Sequence, residues 1–201
     1  MELSIQTTRK LILRLAIILV TIAVSFSCKD NSKQFLADSN DLEDFYEFQE
    51  FDLSPYGIKA SIMLPDETAN IGASTKPEVH HLESDFYWNI QVGQNFHLYI
   101  EDYGDNTDLV KAQKQKLSNT QFYDVKYLVD ESDLIIYEVT LKVRGSDQAP
   151  KTVGIKHVSY HVYGEKIING IHYELRSRDE GFEKPIIDLM AKSIISLKEK
   201  K

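Results

Sequence analysis

Apolar residues are packed without interruption from Leu15 to Phe26, whereas beyond residue 55 they recur with periods of two or of three to four. The unbroken run is flanked by Arg9, Lys10 and Arg14 before it and by charged residues after Cys28. A membrane-spanning helix needs ~20 apolar residues, because the hydrocarbon layer is ~30 Å thick and a helix rises ~1.5 Å per residue. The run after Arg14 is too short for that, and extending it back to Leu11 would bury Arg14 in hydrocarbon. A basic flank, a short apolar segment and a small residue before the break form the secretory signal pattern. Residues 1–27 therefore read as a signal peptide.

The period of two begins after Pro55-Tyr56-Gly57. Ile58, Ala60, Ile62 and Leu64 alternate with Lys59, Ser61 and Met63, which predicts a strand with one buried face, ended by Pro65. Residues 66–78 read as a loop. Phe86–Val92 and Phe96–Glu101 are the next strands, joined by a turn at Gly93-Gln94-Asn95. A helix follows over Leu109–Leu117, with Asp105, Asn106 and Thr107 as capping side chains. Three more strands are expected near Val125–Val129, Leu134–Arg144 and Thr152–Tyr163, the last two separated by Gly145–Pro150. Gly164-Glu165 is the expected two-residue hairpin turn. Ile167–Arg176 would then be the return strand, interrupted at Asn169-Gly170. A closing helix starts near Phe182 with Pro185 in its first turn. Ile186, Leu189, Met190, Ser193, Ile194 and Leu197 form its inner face, and Lys198–Lys201 its basic end.

Short links among the late strands favour antiparallel pairing. The expected fold is α+β, a single mainly antiparallel sheet of about six or seven strands covered by two helices. The early Tyr56-Gly57 with its strand, the helix at 107–118, the Ile167…Gly170…Tyr173 strand and the closing helix give residues 56–198 a layout that resembles the PsbP-like α/β/α sandwich. That resemblance implies adaptor or assembly work more than catalysis.

Cys28 is the single cysteine of the chain. Ser25-Phe26-Ser27-Cys28 resembles the box of bacterial lipoproteins, in which a small residue directly precedes a cysteine. Ser25 stands where an aliphatic residue is usual, and Phe26 is bulkier than usual. The resemblance implies that the Cys28 thiol is acylated and the chain cut before it, which anchors the protein in the outer membrane. A lone exported thiol cannot form an internal disulfide. Lys29-Asp30 resembles, in part, a signal for surface display; a periplasm-facing anchor is the alternative.

Three divisions follow: 1–27 as signal, 28–52 as a lipid-anchored acidic tether, and 53–201 as one globular domain. The tether holds Asp38, Asp41, Glu43, Asp44, Glu47, Glu50 and Asp52, broken up by Phe35, Phe45, Tyr46, Phe48 and Phe51. It reads as a solvated spacer. Removing residues 1–27, with three bases and one acid, takes the formal net charge from −8 to −10. Such a charge disfavours nucleic acid and electrostatic adhesion to anionic lipid.

Candidate chemistry is sparse. His157, His161 and His172 are expected on one sheet face, with His157 or His161 opposite His172 according to the hairpin register. Glu174 would be a third metal ligand beside them. The bland alternative is a set of polar residues on a solvated face. Glu101–Asp108 is an acidic turn, but Gly104 and Gln113 break the EF-hand pattern. Ser159 lies between His157 and His161 on a strand, without the sharp turn that exposes a nucleophile. Phe86-Tyr87-Trp88 with Tyr99 and Tyr103 would stack a ligand or pack the core. No cofactor is expected. The reading is a non-enzymatic envelope lipoprotein that binds a protein partner. The alternative is a small-ligand or metal-binding lipoprotein using the face of His157, His161 and His172.

Overall fold

The computed structural model describes residues 45–71, 76–82, 86–141 and 158–200. Cys28, the signal segment, most of the tether, His157 and the connection at 145–150 lie outside these residues. The chain runs β1 (Phe48–Asp52), β2 (Ala60–Pro65), β3 (Glu78–His81), β4 (Tyr87–Val92), β5 (Phe96–Asp102), α1 (Leu109–Ser118), β6 (Tyr123–Asp130), β7 (Leu134–Leu141), β8 (Val158–Ile168), β9 (Ile171–Arg176), α2 (Lys184–Ser196) and β10 (Lys198–Glu199). Seven strands form one antiparallel sheet in the order β3-β4-β5-β9-β8-β7-β6, and β1-β2-β10 form a second. The fold is α+β. Among the described residues no helix is long and apolar enough to cross a membrane.

Alternation gives the large sheet two unlike faces. Ile90, Leu98, Ile100, Leu175, Val162 and Ile136 point inward and are buried. α2 and the small sheet cover that inner face, forming one core with Ile62, Leu64, Ile187, Met190 and Ile194. α2 is apolar where it meets the sheet because Ile187, Met190, Ala191 and Ile194 recur at helical spacing. The outer face is covered only in part, by α1, whose Leu109 and Val110 pack on Ile135, Tyr137 and Tyr163.

Several expectations need correction. The small sheet is a second sheet, and it recruits residues read as tether: β1 pairs with β2, Phe48 opposite Pro65 and Asp52 opposite Ser61. Phe48 is buried and meets Phe45 edge-on, with ring centroids 5.4 Å apart. The basic end expected of α2 is instead β10, paired with β2, and Lys200 Nζ reaches Asp52 Oδ2 at 2.6 Å. β3 was not expected.

The hairpin turn is not at Gly164-Glu165. β8 runs straight through to Ile168, and the turn is Asn169-Gly170, both left-handed at φ 52° and 80°. That pair of positive φ values is what Asn-Gly supplies in a tight hairpin whose twist matches the strands. Gly164 sits mid-strand for a different reason: a Cβ there would lie 2.8 Å from Ile194 Cγ2 and 3.2 Å from Leu134 Cδ1. It is the small residue that lets α2 approach the sheet.

Capping also differs. Asp108, itself left-handed at φ 62°, precedes α1 and makes no side-chain cap. The first amide of the helix, Leu109 N, instead donates to Glu165 Oε2 on β8 at 2.9 Å. A distant strand thereby satisfies a helix terminus that local residues leave open.

Candidate functional site

The outer face of the large sheet concentrates the polar and aromatic side chains. By strand register it carries Tyr87, Tyr99, Tyr123, Tyr127, Tyr137 and Tyr163, six of the chain's 11 tyrosines. Tyr99, Arg176, Tyr163 and Ile135 stand opposite one another in one row across four strands. Tyr87 and Tyr99 stack with centroids 5.5 Å apart, and the Arg176 guanidinium lies 5.2 Å from the Tyr99 centroid. Burial, with the Tyr99 hydroxyl nearby, pushes Tyr87 up to about 12.

The adjacent row aligns three carboxylates, Glu101, Glu174 and Glu165. Like charges directly opposite are unfavourable, and the surroundings compensate. Glu174 accepts from the Tyr163 hydroxyl at 2.5 Å and from Arg176 Nε at 2.9 Å. Tyr103 is held up by burial and by Glu174, which its hydroxyl also meets. Burial and the Glu174 bond likewise push Tyr163 well above the usual phenol range. Glu165 meets His172 Nδ1 at 2.6 Å and the α1 amide. Arg176 also reaches Asp179 Oδ1 at 3.1 Å.

These contacts decide where the expected metal residues stand. His172 lies opposite Ile167, not opposite His161 or His157. His161 is six residues along β8 from Ile167, ~20 Å away at strand rise. Glu174 is already bonded to a tyrosine and an arginine. Among the described residues, no three His, Cys, Asp or Glu side chains converge as a metal set. Trp88 is on the inner face, buried, with Nε1 donating to Tyr56 O at 2.7 Å.

No family model, curated protein or solved structure matches the chain.

Between the C-terminal half of α1, strands β6 to β8 and the segment after β9 lies a cleft of about 610 Å³. Its floor is the Tyr137–His161 stack, 5.1 Å between centroids and nearly parallel at 9°. Gln113 Nε2 donates to the Tyr137 hydroxyl at 3.3 Å, and burial pushes that phenol up to about 12. Ser159 Oγ lies 3.0 Å from His161 Nε2, and the imidazole also bonds to the Arg178 backbone. Burial lowers the His161 pKa, with Asp179 acting against it, so the ring is neutral at neutral pH. Gly181 (φ +71°) packs so closely that a Cβ would lie 2.7 Å from His161 Nε2.

A serine beside a neutral imidazole has the composition of a nucleophile and base. Here a backbone group, not a carboxylate, holds the ring, and Ser159 lies flat on a strand. The pair fixes the cleft floor. Sequence alone points to His161 but not to Tyr137, Arg176 or Arg178. The alternation of Tyr137 within β7 and of Arg176 within β9 is local, whereas the nonlocal pairing that joins them, and the placing of Arg178 beyond β9, are not.

At the far end of the same face, at the rim of the cleft, two large apolar side chains are exposed together. Tyr123 stands directly opposite Leu141, with exposures of 43% and 48%, and Phe122, just before β6, is 68% exposed. β6 is an edge strand of the large sheet.

Proposed function

We propose that the chain is exported, acylated on Cys28 and held at the outer membrane. There the domain works as a non-enzymatic module that binds an envelope protein through the outer face of its large sheet. The anchor rests on the apolar run, the basic flank and the residues before Cys28. The binding reading rests on the tyrosine-rich face that ends in the exposed Tyr123 and Leu141. Tyrosine and arginine are enriched in protein interfaces, since they offer large contact area and a polar tip with few rotatable bonds. A contiguous exposed apolar patch on a water-facing surface is a further interface signature.

The face is also ordered in advance. Its buried acids are bonded to Tyr163, Arg176, His172 and the α1 amide, so docking would not have to fix them in place. The test has two arms. Acyl labelling should mark the wild type and not Cys28→Ala; an unlabelled wild type ends the lipid reading. Co-isolation from crosslinked envelopes should recover a partner that Tyr123→Ser with Leu141→Ser loses. No partner above background, or one retained by the double variant, ends the binding reading.

A further inference from the structure

The cleft under α1 has a chemical gradient. On the side of β9 it is lined by Arg176, Arg178 and His161, and on the side of β6 by Leu117, Tyr123 and Val139. A second hollow of about 330 Å³ extends the apolar side, sharing Lys116, Leu117, Tyr123 and Val139. Pockets of a few hundred cubic ångströms, mostly apolar with a few convergent polar groups, fit small organic ligands.

The charges at its polar side are unequally engaged. Arg176 is occupied by Glu174 and Asp179. Arg178 Nε meets Glu180 at only 3.4 Å, and that carboxylate is 74% exposed. Lys116, at the mouth, has no partner among the described residues. The acids on the rim, Asp179 and Glu180, point to water and are already shared. The neutral His161 adds no opposing charge. Arg178, whose guanidinium lies 5.6 Å from the Phe182 ring centroid, keeps hydrogen-bonding capacity at one end of the cleft, and Lys116 stands beside its apolar end.

We infer that this cleft is a binding site for a small carboxylic acid with an apolar body. The carboxylate meets Arg178, replacing the long Glu180 contact, and Lys116 adds positive charge from the apolar end of the same cleft. The apolar body lies along Leu117, Tyr123 and Val139. A charge-assisted hydrogen bond is stronger than a neutral one, so an acid should be preferred to the matching alcohol by roughly tenfold. The site uses the same face as the proposed interface but does not depend on a protein partner.

The test uses the full chain in lipid nanodiscs, with empty nanodiscs subtracted, titrated with phenylbutyrate and with phenylbutanol. The expected result is saturable one-to-one binding of the acid, roughly tenfold weaker binding of the alcohol, and shifted resonances at Leu117, Val139 and Arg178. Lys116→Gln with Arg178→Gln, the first exposed and the second half-buried over Phe182, should remove the preference and shift thermal unfolding little. Equal affinity for acid and alcohol, an unchanged preference in the double variant, shifts elsewhere, or no saturable binding would each overturn the assignment. Failure of the wild type to recover any envelope partner, with acid binding intact, would end only the protein-docking reading. The reverse result would end only this one.

Discussion

Glu174→Gln probes the centre of the outer face. The carboxylate has 8% side-chain exposure and carries two strong bonds, to Tyr163 Oη and Arg176 Nε. Amide replacement keeps the shape and an acceptor for one of them but turns an NH₂ toward the other. Losing a hydrogen bond to a charged group costs about 1.5–3 kcal/mol, and a donor left unsatisfied in a buried place adds about 1–3. Two effects oppose this. Glu101 and Glu165 stand directly opposite Glu174, and relief of each like-charge pair returns about 0.2–1 kcal/mol. Arg176 also keeps Asp179, on an exposed and hence weak contact. The net expectation is a loss of about 2–3 kcal/mol. With a urea slope of about 2 kcal/mol/M, the midpoint should fall by about 1 M at unchanged slope. Tyr163→Phe in the same background gives the second arm. If the Tyr163–Glu174 bond carries part of the effect, the two changes should couple by about 1 kcal/mol instead of adding. Lys184 and Asp188 form an exposed pair on α2 at 2.6 Å, and Asp188→Asn should cost under about 0.5 kcal/mol. A Glu174→Gln midpoint within error of wild type, or strict additivity with Tyr163→Phe, would refute the reasoning.

Gly164→Ala should destabilise by about 1–3 kcal/mol, since its Cβ would crowd Ile194; denaturant unfolding should show part of that loss returned by Ile194→Ala in the same chain. Asn169→Ala should cost about 1 kcal/mol through its left-handed φ of 52°, while Asn169→Gly should be near neutral; a thermal melt ranks the three. Burial depresses the His161 pKa in the fold, so below the unfolded value of about 6.5 the unfolded chain takes a proton that the folded chain declines. Stability should therefore fall as pH drops below about 6.5. The slope in that window should be shallower in His161→Gln, and an identical slope would remove His161 as its source.

Six of the seven strands of the large sheet, β2 and both helices were legible because alternation and helical spacing are local signals, whereas β1, β3 and β10 were not. β2, β4, β5, β6 and β7 all lie where period two placed them. What failed was nonlocal. Gly164 looked like a turn residue because glycine followed by charged residues usually is one. Its real constraint is Ile194, thirty positions away on α2. Asn169-Gly170 looked like an interruption, yet it carries the two positive φ values a tight hairpin needs. Asp105, Asn106 and Thr107 had the right chemistry to cap α1, but a carboxylate on β8 was placed to do it. Both expected pairings, His157 or His161 opposite His172, fell with the turn, since moving a hairpin by five residues changes every opposite pair.

The same register shows why the tyrosine face could not be read from composition. Tyr99, Arg176 and Tyr163 come from β5, β9 and β8, and the sheet brings β9 beside β5 only after α1, β6, β7 and β8 have been laid down. Each strand alone shows ordinary alternation with a polar outer side. Placed together, the polar sides form a surface on which Glu165 and Glu174 are hydrogen-bonded from within, by His172, a helix amide, Tyr163 and Arg176. The groups that remain with bonding capacity are then at its margins: Lys116 and Arg178 over the cleft, and Phe122, Tyr123 and Leu141 at the edge of β6. A centre whose groups bond to one another, with open margins, is what the proposed binding role calls for. That division also makes the tests separable. Substitutions in the centre should move stability, whereas those at the margins should move binding and leave the unfolding midpoint in place.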